Sequence, residues 1–116
     1  MGGMIYLSAI VVKRFDVYLV NLEPTVRFEI QKTRPCLVIS PDEMNRNIRT
    51  VIIAPITSAQ KDYPTRVSCT FRKKQGQIVL DQIRTVDKER LIKKLGTIDS
   101  RAQLDTISIL QRLFAY

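Results

Sequence analysis

Four apolar residues, Cys36-Leu-Val-Ile39, stand between Pro35 and Pro41. A run this short, with a proline at each end, cannot make a useful helix and reads as a buried strand. The residues just before it, Glu29-Ile-Gln-Lys-Thr-Arg34, carry a carboxylate, an ammonium and a guanidinium. They read as a polar loop delivered onto the end of a rigid strand, a common way to mount reactive groups. Arg34 sits at the junction, and the ring of Pro35 biases it away from helix.

The rest of the chain repeats this grammar. Residues 15–22, rich in β-branched and aromatic side chains, predict a first strand that ends at Glu23-Pro24-Thr25, and 24–33 a loop of about ten residues. Residues 35–40 form strand two, 41–47 a turn or short helical excursion, and 50–55 strand three, with Ile56, Thr57 and Ser58 at its exit. A connection at 61–64 leads to strand four at 65–71, and 72–76 reads as a basic turn closed by Gly76. Residues 77–86 predict strand five, broken near Asp81; 87–91 one helical turn; and 95–98 a last short strand. Helical periodicity appears once, where Ser100 and Gln103 fit a capping box and Leu104, Ile107, Leu110 and Phe114 recur at three- and four-residue spacing. Short strands followed by one amphipathic helix predict a mainly β (α+β) fold, a strongly bent sheet or partly open barrel with the helix packed on it. The chain of 116 residues reads as one domain, 1–116, with 1–12 a frayed extension or early strand. That first segment is too short to span a bilayer and lacks the charged start of a secretory signal, so a cytoplasmic location is expected.

The 19 basic against 11 acidic residues leave a formal charge of +8, which implies an anionic partner. Nucleic acid, an acidic protein and an anionic membrane all qualify on charge alone, and so does a plain solubility role. The sequence has no histidine and its two cysteines lie in apolar settings, which removes the usual acid-base residue and the commonest metal ligand. Neither a glycine-rich phosphate loop nor a Cys-x-x-Cys pair is present. Chemistry is therefore left to carboxylates, hydroxyls, Lys, Arg and Tyr.

Glu29, Lys32 and Arg34 are of the right types for cleaving RNA at a phosphodiester. That reaction needs a base for the 2′-hydroxyl, a cation for the charge growing on the phosphoryl oxygens and a donor for the departing oxygen. Arg34 suits the second role, because a guanidinium offers phosphate a planar fork of donors. The plain alternative is a solvated loop with weak surface pairs. Thr57 with Ser58 could set a hydroxyl beside a phosphate, or only bond its own turn. Asp81 and Arg84 read either as a buried ion pair or as part of a binding groove. Lys73 and Lys74 belong to a basic strip in the second half that would suit a phosphate backbone.

Four blocks, taken together, carry a resemblance. Asp16-Val-Tyr-Leu-Val-Asn-Leu-Glu-Pro-Thr, Gln31-Lys-Thr-Arg-Pro-Cys-Leu-Val-Ile-Ser-Pro, Ala54-Pro-Ile-Thr-Ser and Leu80-Asp-Gln-Ile-Arg-Thr-Val-Asp87 resemble, in order and spacing, the MazF/PemK family of toxin endoribonucleases. The resemblance implies an SH3-like barrel with a C-terminal helix, a homodimer, and metal-independent, cofactor-free cleavage of single-stranded RNA to a 2′,3′-cyclic or 3′-phosphate and a 5′-hydroxyl. It also implies an acidic antitoxin that folds across the groove, in keeping with the +8 charge. By position the family's essential arginine and threonine fall on Arg34 and Thr57, its loop glutamate on Glu29 and its aspartate on Asp81, which makes Arg34, Thr57 and Glu29 the catalytic candidates; with Asp81, the residues Gln31, Lys32, Ser58, Lys73, Lys74 and Arg84 are expected to contact RNA. Two alternatives share the barrel: a module that binds RNA or an antitoxin without cutting, and a gyrase-binding toxin. The chain departs from the family at Arg14-Phe15-Asp16, where members read Arg-Gly-Asp, and at Arg27-Phe28, where they carry glycine followed by serine or histidine.

Overall fold

The computed structural model describes residues 11–22 and 33–116. Glu29, Gln31, Lys32, Arg27 and Phe28, and the reading of the first ten residues, lie outside the described residues. The order is β1 (Asp16–Asn21), β2 (Thr33–Val38), α1 (Asp42–Asn47), β3 (Thr50–Thr57), β4 (Arg66–Phe71), β5 (Lys74–Val79), β6 (Arg84–Asp87), β7 (Leu91–Thr97) and α2 (Ser100–Leu113). Single 3-10 turns at Leu80–Gln82 and Lys88–Arg90 flank β6.

All the strands join one curled antiparallel sheet in the order β4-β5-β3-β2-β1-β7, with β6 also paired to β3. The run at 36–39 is apolar throughout because both of its faces are covered. Leu37 and Ile39 join one buried cluster, with Ala54, Ile56 and Ile78, whereas Cys36 and Val38 join another, with Val20, Val51 and Ile53. Successive side chains of a strand point to opposite faces, so one apolar run feeds two cores. Strand β3 is the backbone of the arrangement: 50–53 pair with β6, and 56–57 pair with β5. The expected break near Asp81 is what lets a single stretch of chain serve two parts of one strand.

Helix α2 closes the first core, and here the sequence expectation needs correcting. The N-cap is Asp99, whose carboxylate accepts from Ala102 N, and Gln103 Nε2 donates to the Ile98 carbonyl. The face turned inward is Ala102, Thr106, Ile109 and Leu110, while Leu104 and Phe114 are each 71% exposed. Small Ala102 and Thr106 let the helix approach the sheet closely, and a stripe counted only over large apolar residues misses them. The Thr106 hydroxyl is buried with no hydrogen-bond partner.

Phe15 adopts φ 77°, in the left-handed region that a glycine would occupy without strain. A cost on the order of 1–2 kcal/mol is expected there. It is offset by the ring packing against the first core and by a 2.8 Å bond from Phe15 N to the Val38 carbonyl. Behind it, the buried Asp16 carboxylate accepts from Lys13 N at 2.9 Å and pairs with Lys94 at 3.4 Å.

Candidate functional site

A groove of about 430 Å³ opens between the start of β2, the end of β3 and the β4–β5 hairpin. Arg34 and Thr57, from separate strands, both line it. Their meeting follows from strand register. Cys36 lies opposite Pro55 and Leu37 opposite Ala54, so the same register carried two residues on sets Arg34 across from Thr57. Pro35 lacks the N–H that would prolong the β2–β3 ladder, and the described pairs begin at Cys36. The strands part there, and the groove begins.

Thr57 is half-buried, and its Oγ1 accepts from Ala59 N at 3.1 Å. This is the local turn bond expected of a threonine at a strand exit, yet the hydroxyl keeps its own proton to donate. Ser58 also lines the groove. The segment that follows is fastened by Gln77, which accepts from Lys61 N at 3.0 Å and donates to the Lys61 carbonyl at 2.9 Å.

Among the described residues, the cations of the groove are Arg34, Arg72 and Lys74. The ion pairs among the described residues occupy Arg49, Arg66, Lys94 and Arg101 and none of these three. The positive charge facing the groove is therefore not neutralised by any described carboxylate. Arg72 was legible in the sequence only as one charge of a basic strip. Its side chain is held in place: Nε donates to the Leu95 carbonyl at 3.1 Å, and the guanidinium lies 5.7 Å from the Phe71 ring centroid.

Other expected residues lie elsewhere. Lys73 is at the exposed hairpin tip and does not line the groove, whereas Lys74 does. The expected turn at 72–76 is shorter, because β5 already begins at Lys74 and Gly76 is buried within it. Asp81 and Arg84 do not pair with each other. Asp81 accepts from the Thr65 hydroxyl at 2.9 Å and from Arg66 Nε at 3.2 Å, and Arg84 donates to the Leu22 carbonyl at 3.1 Å. Burial alone would raise the Asp81 pKa, but the Thr65 hydroxyl, its own backbone N–H and Arg66 together hold it below the usual carboxylate range.

Thiol chemistry has no place here. Cys36, whose Sγ donates weakly to the Arg34 carbonyl, has its pKa pushed by burial up to about 12, against the pull of Arg34 and Arg84. Cys69 is pushed up to about 11 by burial and by Asp99. Among the described residues no three His, Cys, Asp or Glu side chains gather as a metal site. What the groove offers is cationic side chains, Arg72 among them anchored, and the hydroxyls of Thr57 and Ser58, the equipment for holding an anionic group and stabilising added charge on it.

Comparison with known proteins converges on one description. A family model for the PemK-like, MazF-like toxin of type II toxin-antitoxin systems matches residues 13–114. Endoribonuclease EndoA of Bacillus subtilis is 40% identical over 95 residues, 77% of this chain and 82% of that protein. Endoribonuclease MazF of Staphylococcus epidermidis is 36% identical over 100 residues, covering 81% and 83%. A solved mycobacterial endoribonuclease in complex with its cognate antitoxin shares the fold at a TM-score of 0.76 and 21% identity, over 90% of this chain and 98% of that one.

Proposed function

This chain belongs to the PemK-like, MazF-like toxin family of type II toxin-antitoxin systems, and we propose from that membership and the groove that it is an endoribonuclease cutting single-stranded RNA. The observation that carries the reading is the convergence of Arg34 and Thr57 on one basic groove whose cations pair with no carboxylate among the described residues.

A base, for which Glu29 is the candidate by position, takes the proton of the 2′-hydroxyl. The 2′-oxygen then attacks phosphorus, and the bond to the 5′-oxygen breaks as that oxygen receives a proton. Arg34 holds the equatorial oxygens as their charge grows, and Thr57 donates to one of them. The products are a 2′,3′-cyclic phosphate, open to hydrolysis to the 3′-phosphate, and a 5′-hydroxyl. The chain's own cations supply the charge stabilisation, so the reaction proceeds without a metal. Gln31, Lys32, Ser58 and Lys74 are proposed to contact the RNA in the groove, and Lys73, Asp81 and Arg84 at its margins.

The protein acts in the cytoplasm as a homodimer, and an acidic antitoxin neutralises it by lying across the same groove. The net charge of +8 supports that partner. No helix among the described residues is long and apolar enough to cross a membrane. The test is cleavage of a long single-stranded RNA with and without chelator, with the new ends identified chemically. Cleavage that persists undiminished in Arg34→Ala, or that stops with chelator, would defeat the mechanism.

A further inference from the structure

Three separate irregularities of the backbone meet at Arg72. The β4–β5 hairpin turns on two residues only, and both are left-handed: Arg72 at φ 53° and Lys73 at φ 64°. A two-residue hairpin of this hand is normally built from Asn-Gly, because side chains strain it by roughly 1–3 kcal/mol per residue. The second irregularity is in β7. Val17 lies opposite Gly96 but Tyr18 lies opposite Lys94, so Leu95 is an extra, bulged residue, and it is the Leu95 carbonyl that takes the bond from Arg72 Nε. Bulges of this kind re-aim groups beside functional sites. The third is Gly96 at φ 152°, where a Cβ would stand 3.0 Å from the Phe71 ring that lies beneath the guanidinium.

Only the left-handed turn is strained as it stands, since glycine adopts its φ freely, but all three features bear on one side chain on the wall of the groove. Strain that persists at one place is retained where the arrangement itself is used. A guanidinium held through Nε and over a ring keeps its remaining N–H donors in one plane, which is the geometry phosphate oxygens match. We propose that Arg72 is a second phosphate-binding residue of the groove, holding the RNA backbone alongside Arg34. The inference rests on the ribonuclease reading above but is separable from it.

The probe is an RNA oligonucleotide spanning a mapped cleavage site, with 2′-deoxyribose at the cut nucleotide so that it binds without reacting. Affinity is measured against salt concentration for the wild type, Arg72→Asn, Arg72→Lys and Arg101→Gln. Asparagine tolerates the left-handed turn, so folding should survive, and a thermal melt checks this. Arg101, on α2 beside Asp105, controls for a general loss of charge. Loss of one phosphate contact should lower the slope of log affinity against log salt by about 0.7 in Arg72→Asn. Arg72→Lys should keep the slope while binding more weakly, because a point charge replaces a fork. A purely structural arginine would leave the slope alone.

Cleavage kinetics on the all-ribose RNA then say which phosphate is held: a rise in KM alone marks a neighbouring one, a fall in kcat the reacting one. A slope in Arg72→Asn equal to that of the wild type, or of Arg101→Gln, overturns the proposal. Absence of RNA binding in the wild type would instead overturn the ribonuclease reading.

Discussion

Gly96→Ala is the sharpest perturbation the fold offers. Its φ of 152° lies in a region that side chains rarely adopt, at a cost of about 1–3 kcal/mol. The new methyl would also stand 3.0 Å from Phe71 Cε1, so the ring must give way by a few tenths of an ångström, and such overpacking costs about 1–3 kcal/mol. Alanine returns about 0.4–1 kcal/mol by restricting the unfolded chain. The net loss is therefore about 1–5.6 kcal/mol. At roughly 4 °C per kcal/mol for a chain of this size, the melting temperature falls by about 4–22 °C.

Gly76→Ala is the matched comparison. Its Cβ meets the Thr57 carbonyl at 3.1 Å and Ile56 Cγ2 at 3.2 Å, but its backbone carries no positive φ. It should lose about 0.5–2 kcal/mol, from crowding alone. Urea titrations at one fixed protein concentration, which holds any oligomer equilibrium constant, give both values. The two variants should also separate in function, Gly96→Ala weakening RNA binding through Phe71 and Arg72, and Gly76→Ala disturbing Thr57. If Gly96→Ala is as stable as Gly76→Ala, the constraint argued for position 96 is absent, and with it one support for the placement of Arg72.

Other outcomes follow from the same geometry. Lys73→Gly relieves one left-handed side chain and should raise stability by about 0.5–1 kcal/mol in the same titrations, since glycine's own entropy cost offsets part of the gain. Both cysteines should resist an alkylating reagent in the native protein at neutral pH, with pKa values raised to about 12 and about 11, and react fully once unfolded. The folded Asp81 pKa lies below its unfolded value, so its contribution to stability is present above the unfolded pKa and is lost as pH falls through the folded one. Asp81→Asn should accordingly flatten the acid limb of a plot of stability against pH; an unchanged acid limb would show that Thr65 and Arg66 do not set it.

How much of this was readable beforehand depended on whether a feature announces itself in residue type. The apolar run at 36–39 announced β2, but its bounds are Thr33–Val38 and not 35–40, because Pro35 keeps its pairing with β1 and so lies inside the strand instead of opening it. Arg34 and Thr57 could be paired from family blocks, and the register explains why they meet. The turn at 72–76 was legible, but its shortness and left-handed form at Arg72-Lys73 were hidden, because those φ values are imposed by the strands on either side and not requested by the residues themselves. The bulge at Leu95 left no trace either, since one extra residue in an alternating pattern looks like a slip between two strands. On α2, the contact face was missed because alanine and threonine are silent in a count of large apolar side chains. Asp99 displaced Ser100 as the cap for a related reason: both residues can cap, and only the path of the chain chooses between them.

Strand β3 is asked to hold two neighbours along one margin, β6 on 50–53 and β5 on 56–57, with a 3-10 turn between those neighbours. The far end of the strand is knitted to α1 and Lys88 through Ser40 and Asn45, well away from the groove. The near end carries Thr57. A single strand thus spans two neighbourhoods that can loosen independently, and amide exchange along it should show two levels of protection, with the change between them at Ala54 and Pro55. Variation at the α1 end could then tune how long the protein lasts while leaving the ribonuclease groove as it was.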